Sequence, residues 1–273
     1  METISPHATL SSFVECYWSW EVTTASGELD PILPDAAPEL IFHLRTPPSV
    51  LRPTGRWEQQ QRAFLLGASQ RAVRLSIQAP MAVFAIRFRP WGVSRFTDRS
   101  MADLIDREIA PGQVFSSFGA KLADRIRSAR DNAERVSISD STLQNALADQ
   151  SEKDELIRRL HSVAAGGYVR GRDIAASLGT SERSFRRLWH DMVGIEQRKF
   201  VSLMRFHRAL AMIDAGTELS MVAAECGYAD QPHLARDVKS ISGLPALSLR
   251  KRLGADVYQD LYTNRPSAPW TGD

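Results

Sequence analysis

The sequence has few cysteines and no long apolar run, and each shortage excludes a class of protein. The chain of 273 residues contains two cysteines, Cys16 and Cys226, which match no metal-ligand spacing and are too few for a disulfide scaffold. No stretch approaches the ~18 apolar residues of a membrane-spanning helix. The N-terminus also lacks the basic and apolar regions of a signal peptide. We therefore expect a protein of the reducing cytoplasm that does not contact a membrane.

Motifs of catalysis are missing as well. The sequence has no glycine-rich phosphate loop, no nucleophile elbow and no cluster of metal-ligating residues. These absences predict a protein that is not an enzyme, with no catalytic residues, no cofactor and no metal site. An enzymatic domain fused to a binding domain is the alternative that they disfavour.

The charges are distributed unevenly along a chain of ordinary globular composition. Hydrophobic residues make up 43% of the sequence and charged residues 24%, and the length suits two domains. Residues 1–152 contain 16 Lys and Arg against 18 Asp and Glu, whereas residues 153–254 contain 17 against 11. This contrast is typical of a sensor domain joined to a nucleic-acid-binding domain.

The first ~90 residues alternate between apolar and polar with a period of two. Such alternation occurs over residues 13–22, 39–45, 72–77 and 84–89, and prolines and glycines interrupt it. The pattern predicts a β-sandwich or barrel whose strands are buried on one side.

After residue 92 the apolar period lengthens to three or four, which predicts short helices as far as about residue 129. We therefore predict an α+β protein with four segments: a β-rich sensor or dimerisation domain with trailing helices (1–130), a linker that holds a helix near 142–149 (131–151), an all-helical domain (152–254) and a tail (255–273).

Several residues of the β-rich half are candidate ligand contacts, each with a structural alternative. Aromatic residues at strand spacing are more often core than pocket, which applies to Trp18, Trp20, Phe42, Phe84 and Phe88. His43 near Glu39 is compatible with a metal site, but such a site needs three or four converging ligands. Arg87 and Arg89 are compatible with an anionic effector, although exposed strand arginines are commoner.

The C-terminal third contains an internal repeat. Residues 173–194 and 221–243 each comprise a short helix with Ala-Ala, a glycine (Gly179 or Gly227), a polar cap and a longer basic helix. Glycine can adopt the positive φ that a tight turn between two nearly perpendicular helices requires. The repeat therefore predicts two helix-turn-helix units.

The longer helix of each unit is amphipathic. The inward positions are Phe185, Leu188, Trp189 and Met192 in the first helix, and Leu234, Val238 and Ile241 in the second. Basic and polar outer faces on such helices are suited to a DNA major groove. The candidate DNA-binding residues are Ser181, Arg183, Ser184, Arg186, Arg187 and His190 in the first unit, and Gln231, His233, Arg236 and Lys239 in the second.

Residues 155–252 resemble the AraC/XylS family of bacterial transcription regulators. The matching motifs are Ala-Ala-x-x-Gly in each repeat, Phe185-Arg-Arg-Leu-Trp, Arg205 with Ala209, and Gly227-Tyr-Ala-Asp-Gln-Pro-His-Leu-Ala-Arg. The resemblance implies that base and phosphate contacts come from Arg183, Arg186, Arg187, Gln231, His233 and Arg236. For Arg205, in the linking helix, we expect a structural ion pair rather than a DNA contact.

The N-terminal half is similar to a β-rich domain often found ahead of this DNA-binding domain. The matching stretches are Leu33-Pro-Asp-Ala-Ala-Pro-Glu-Leu-Ile-Phe-His-Leu and Ala85-Ile-Arg-Phe-Arg-Pro-Trp-Gly. The resemblance implies a domain that senses a small molecule or supports dimerisation. The predicted partners are operator DNA, RNA polymerase, a small-molecule effector that the sequence does not identify, and a second copy of the chain. The alternative is a ligand-independent regulator whose N-terminal domain only dimerises or binds a partner protein.

Overall fold

The computed structural model describes residues 1–24, 26–29, 31–147, 152–165, 171–246 and 248–249. A β-rich N-terminal unit is followed by helices, which confirms the predicted α+β class. The strands are β1 (Glu2–Ile4), β2 (Val14–Val22), β3 (Gly27–Glu28), β4 (Glu39–His43), β5 (Ser49–Leu51), β6 (Trp57–Gln59), β7 (Ala63–Leu66), β8 (Leu75–Ile77), β9 (Met81–Phe88) and β10 (Glu108–Ile109). The α-helices are α1 (Pro111–Val114), α2 (Gly119–Ser128), α3 (Asn132–Ala146), α4 (Glu152–Ala165), α5 (Gly171–Ser177), α6 (Glu182–Val193), α7 (Gln197–Asp214), α8 (Leu219–Glu225) and α9 (Gln231–Ser242).

The strands form two antiparallel sheets. The larger sheet has the order β1-β2-β9-β4-β7-β10 and the smaller one the order β3-β8-β5-β6. At the centre of the larger sheet, β9 pairs with β2 and β4, so that Phe84 lies opposite both Ser19 and Phe42. The long alternating segments of the sequence are therefore the central strands of the sheet.

Both faces of the larger sheet are covered, and the expectation of strands buried on one side is wrong for it. All eight residues of β9 are buried. On one face Trp18 and Val83 pack together in a small cluster. On the other, Phe84 belongs to the main core, which also contains Leu122 of α2. The trailing helices cover that second face, which strand periodicity alone does not reveal.

A β-bulge changes which face of β2 each side chain occupies. The register of β2 against β9 shifts between Val14 and Cys16. Val14 consequently joins the main core with Tyr17, whereas Cys16 joins the small cluster with Trp18. Strict alternation placed Val14 and Cys16 on the same face, and the extra residue of the bulge reverses this.

Helix α3 occupies most of the segment for which the sequence predicts a linker, 131–151. The Asp131 side chain caps its first turn by accepting from the Glu134 backbone NH at 2.8 Å. Asp140 on the same helix accepts a 2.6 Å hydrogen bond from the Tyr17 hydroxyl of β2. Leu143 is fully buried. The polar composition of residues 131–151 suggested a linker. Helix α3 instead packs on the N-terminal unit through one apolar edge and the hydrogen bond between Asp140 and Tyr17.

The C-terminal part is helical, as predicted, from α4 to α9. Of the predicted all-helical domain 152–254, residues 166–170, 247 and 250–254 lie outside the described part of the chain. The tail 255–273 also lies outside it. Within the described ranges no helix is long and apolar enough to cross a membrane.

Candidate DNA-binding interface and N-terminal cavity

The first helix-turn-helix unit consists of α5, α6 and the turn between them. Gly179 has φ +65°, which is the positive value that the turn requires. Ser181 caps α6 by accepting a hydrogen bond from the Ser184 backbone NH at 3.2 Å. Phe185 and Trp189 are buried, and the Trp189 indole NH donates to the Ile195 carbonyl at 2.8 Å. These contacts fix the rotation of α6 about its axis, and so determine which side chains face outward.

The candidate DNA contacts of the first unit share the outward face of α6 and its cap. All are exposed: Ser181, Arg183, Ser184, Arg186, Arg187 and His190. Only Ser181 and Ser184 are engaged with each other, through the cap and a 3.0 Å bond between their hydroxyls. The three arginine side chains outnumber the exposed carboxylates of Glu182 and Asp191 on the same helix, so this face is basic and suited to phosphates or guanine edges.

The second unit, α8 and α9, repeats this construction. Gly227 has φ +71°, and the Asp230 carboxylate caps α9 by accepting from the His233 backbone NH at 2.6 Å. Leu234 and Val238 are fully buried. The sequence thus predicted both turns, both caps and both inward faces correctly.

The four candidate contacts of the second unit differ in how free they are. Gln231, Arg236 and Lys239 are exposed, and the Arg236 Nε donates to the Pro232 carbonyl at 3.3 Å. His233 is half-buried: its Nδ1 accepts from the Ala229 backbone NH at 3.3 Å, and its ring packs edge-on against Tyr228 at 5.2 Å. His233 therefore stabilises the turn, and its Nε2 is the atom best placed for an outside partner.

Arg205 holds the linking helix α7 against α9, as the sequence predicts. Its guanidinium lies 3.3 Å from the Asp237 carboxylate and 4.2 Å from the centre of the Tyr228 ring. The Tyr228 hydroxyl donates to the same carboxylate at 3.0 Å. Burial raises the pKa of the Tyr228 phenol, so it remains a donor.

The C-terminal helices also pack on the N-terminal unit. A Cβ atom added to Gly194, at the end of α6, would lie 2.6 Å from the backbone carbonyl of Met101 in a short 3₁₀ helix. In α7, the His207 Nε2 donates to the Pro34 carbonyl at 2.8 Å. Arg95 forms an ion pair with Asp154 of α4, and the Asp154 side chain is almost fully buried. Sequence patterns gave no sign of these contacts, because each joins residues about 60 to 170 positions apart.

A cavity of about 90 Å³ lies between the two sheets of the N-terminal unit. Its lining is mainly apolar and includes Trp18 and Trp20, whereas Phe42, Phe84 and Phe88 belong to the main core. The five aromatic residues that the sequence grouped together therefore divide into two lining residues and three core residues.

His43 is a buried polar group of this cavity. It is 5% exposed, and its Nε2 lies 3.3 Å from the Gln60 amide oxygen. The Nδ1 atom is buried without a hydrogen-bond partner. Burial lowers the pKa of His43 to about 4, so the ring is neutral near pH 7. With Nε2 donating to Gln60, Nδ1 is a vacant acceptor. No group of three or more His, Cys, Asp or Glu residues suited to a metal ion occurs among the described residues.

Arg87 is buried and surrounded by carboxylates, and the expectation of an exposed strand arginine is wrong for it. Its Nε donates to Glu15 at 2.9 Å, one terminal nitrogen to Glu39 at 2.8 Å and the other to Asp35 at 2.5 Å. Asp35 and Glu39 also line the cavity. Because its donors are engaged by three carboxylates, Arg87 is not a site for an anionic effector. Arg89, two residues on, is half-buried and donates to the Ser11 carbonyl.

Two family models match the chain, one in each half. A model described as a helix-turn-helix domain matches residues 174–252, and one described as a domain of unknown function (DUF6597) matches residues 2–110. No curated protein sequence matches significantly. The helix-turn-helix match coincides with the two units described above. The chain is therefore a DNA-binding transcription regulator. Its C-terminal domain is of the AraC type, as the sequence motifs predict.

Solved structures with a similar chain course share little sequence with this protein. ToxT from Vibrio cholerae is 11% identical with a TM-score of 0.47, over 88% of this chain and 98% of ToxT. The unsaturated fatty acid-bound form of ToxT is 10% identical with a TM-score of 0.42, over 88% and 95%. An AraC-type regulator from Chromobacterium violaceum is 18% identical with a TM-score of 0.35, over 40% of this chain and 99% of its own.

Proposed function

We propose that this regulator binds a specific operator by inserting α6 and α9 into successive major grooves, and that a small molecule in the N-terminal cavity modulates the binding. The observation that carries the DNA-binding part is the pair of capped helices with exposed basic faces, joined by a single helix. The 18 residues of α7 span about 27 Å at 1.5 Å per residue. One turn of B-DNA is about 34 Å, so modest bending of the DNA would bring both helices into contact.

The residues of the two faces take different roles in this proposal. Arg186 and Arg187 anchor and read one groove, and Arg236 the next, because arginine can bind guanine through two hydrogen bonds. The remaining proposed contacts, to bases or phosphates, are Ser181, Arg183, Ser184, His190, Gln231, His233 and Lys239. Ser181 also caps α6, so its contact would have to use a free lone pair of the hydroxyl.

Two contacts give the cavity a physical route to the DNA-binding helices. Leu33 and Asp35 line the cavity, and the carbonyl of Pro34 between them accepts from His207 of α7. On another wall, a Cβ atom on Gly67 would lie 1.8 Å from the Leu104 carbonyl. Leu104 ends the 3₁₀ helix whose first residue touches the end of α6. A molecule that displaces either wall would therefore shift α6 or α7.

The protein partners and location follow from the same role. An operator-bound regulator acts with the chromosome in the cytoplasm, and RNA polymerase and a second copy of the chain are its proposed protein partners. The role is regulatory rather than enzymatic. A ligand-independent regulator, whose N-terminal unit only dimerises or binds a partner, is the alternative for the N-terminal half.

The DNA-binding proposal is tested with the full-length protein and DNA fragments from the neighbourhood of its own gene, titrated with salt. Arg186→Ala should weaken specific binding by about 1–3 kcal/mol and relax the preference at one base pair. The matched control is Arg56→Ala, which removes one exposed arginine from the N-terminal unit and should leave binding almost unchanged. Affinity of the unaltered protein should fall steeply with salt.

The outcomes separate the parts of this proposal. A uniform loss across all sequences would make Arg186 a phosphate contact instead of a base reader. If Arg183, Arg186 and Arg187 can all be replaced by alanine without loss of specific binding, the role of α6 is refuted.

A further inference from the structure

We infer that Glu182, at the start of α6, selects a cytosine in the operator by accepting a hydrogen bond from the amino group on N4 of the base. This role rests on the proposed insertion of α6 into a major groove. It gives the first helix-turn-helix unit one base that it requires, and it assigns that base to an acidic side chain on an otherwise basic face.

Glu182 lies at the end of α6 that is best placed to reach the bases. It is the first residue of the helix, directly after the cap residue Ser181, and its side chain is exposed. In helix-turn-helix proteins the N-terminal residues of the second helix contact base edges. Asp191, the other exposed carboxylate of α6, lies in the last turn, so Glu182 is the acidic residue to expect beside a base.

The internal repeat supports this position for a DNA contact. Ser181 and Asp230 each cap their helix by accepting from the backbone NH three residues further on. When the two caps are aligned, Glu182 falls on the position of Gln231, and both side chains are exposed. Glu182 therefore occupies in the first unit the place that a proposed base contact occupies in the second.

The Glu182 carboxylate is not engaged by its basic neighbour on the helix. Arg186 is four residues on, a spacing at which acidic and basic side chains can pair, and both side chains line one groove beside α6. Glu155 and Arg159 make such a pair at 2.8 Å in α4, whereas no ion pair joins Glu182 to Arg186 in the part of the chain that the structure describes. An acceptor and a guanidinium donor thus lie one turn apart, which suits a cytosine and a guanine in the same or adjacent base pairs.

Of the four bases, cytosine is the one that suits a carboxylate. In the major groove guanine presents two acceptors, thymine presents an acceptor, and adenine presents an acceptor next to its amino group, whereas cytosine presents an amino donor alone. An ionised carboxylate can only accept, so it is attracted by cytosine and repelled by an acceptor on any other base. Glu182 would therefore raise specificity by penalising the wrong base as well as by binding the right one.

The test uses the full-length protein and a library of random double-stranded DNA. Sequences that bind are selected, and dissociation constants are then measured for operators that carry each of the four bases at the position in question. The unaltered protein should prefer cytosine at or beside the base pair whose preference Arg186→Ala relaxes. Glu182→Ala should reduce the preference for cytosine about tenfold. Glu182→Gln should shift it toward adenine, because an amide can bond both N7 and the amino group of that base.

Glu196→Gln is the matched control. Glu196 is exposed in the same region and precedes α7, outside α6. This variant loses the same charge and should leave every base preference unchanged. Both Glu182 variants should also bind random DNA more tightly than the unaltered protein, because a negative charge is removed from the surface that faces the phosphates.

The contrary results separate this role from the proposed function. If Arg186→Ala relaxes a base preference and Glu182→Ala changes none, Glu182 does not read a base, and α6 keeps its proposed place in the groove. If neither variant changes any preference, the insertion of α6 fails as well. A preference that depends on Glu182 but is for another base would overturn the assignment to cytosine. Weaker binding of Glu182→Ala to all sequences alike would make Glu182 a structural residue of α6 and would also overturn the inference.

Discussion

Replacing Arg87 with methionine tests the buried ionic cluster of the N-terminal unit. The Arg87 side chain is 5% exposed, and those of Glu15 and Glu39 are 5% and 7% exposed. Removing one partner from a buried ionic cluster usually costs 3–5 kcal/mol, because the opposite charges stay buried without compensation. Here three carboxylates lose their common donor. We expect the free energy of unfolding to fall by about 4 kcal/mol at pH 7, and Tm to fall by about 10 °C.

The same variant should show a characteristic dependence on pH. Burial already raises the pKa of Glu15, and the nearby Arg87 opposes that rise. A carboxyl whose pKa is higher in the folded than in the unfolded state favours folding at low pH, and this contribution is lost as the pH rises through the folded-state pKa. Without Arg87 the pKa of Glu15 rises further. The deficit, meaning the difference in free energy of unfolding between the unaltered protein and Arg87→Met, should therefore shrink as the pH falls from 7 to 5.

Urea unfolding at pH 7, 6 and 5 measures this deficit. Charging of buried His43 destabilises both proteins as the pH falls toward about 4, and it cancels in the difference. Arg89→Met is the control on the same strand end. Arg89 donates to a backbone carbonyl, and its charge only adds to the effect of Arg87 in lowering the pKa of Glu15, so its loss should cost about 1 kcal/mol and change the pH dependence less than the loss of Arg87 does. A deficit below 1 kcal/mol for Arg87→Met at pH 7, or one that grows on acidification, would refute the reasoning.

Further substitutions test the turns and the cavity, each by urea unfolding. Gly227→Ala should cost about 1–2 kcal/mol, because φ is +71° and no atom lies within 4 Å of the added Cβ. Gly194→Ala should cost more, since its Cβ would also collide with the Met101 backbone; equal costs would contradict that contact. Asp230→Ala removes the cap of α9 and should cost about 1 kcal/mol, and an unchanged stability would refute the role of the cap. The unaltered protein should lose free energy of unfolding as the pH falls from 6.5 to 4, because the unfolded chain binds a proton at His43 while the buried ring, with its pKa of about 4, stays neutral. His43→Gln should lack this loss, and an unchanged dependence of stability on pH would contradict the reasoning.

The helix-turn-helix units could be predicted from the sequence because everything that defines them is local. The positive φ of Gly179 and Gly227, the caps at Ser181 and Asp230 and the inward faces all arise within about 20 residues of chain. Interactions at i, i+3 and i+4 determine such features without reference to the rest of the molecule. The roles of the outward residues toward DNA stay predictions.

The N-terminal strands could be predicted as strands, but their surroundings could not. The alternating segments correspond to β2, β4 and β9 of the structure. The polar composition of residues 131–151 predicted a linker, where the structure has helix α3. Alternation does not reveal that a helix from later in the chain covers the second face of a sheet. It also does not reveal a bulge such as the one between Val14 and Cys16, which moves a side chain to the opposite face.

Only the tertiary structure decided the cavity and its links to the C-terminal helices. Arg87 meets Glu15, Asp35 and Glu39 from 48 to 72 positions away, and His207 meets Pro34 from 173 positions away. A lone arginine on an alternating strand is usually exposed, so its local sequence pointed the wrong way. By itself the sequence determined that the chain carries two helix-turn-helix units. Long-range packing decided which polar groups became buried and which contacts join the cavity to those helices, because burial and partnership depend on residues that are distant in the chain.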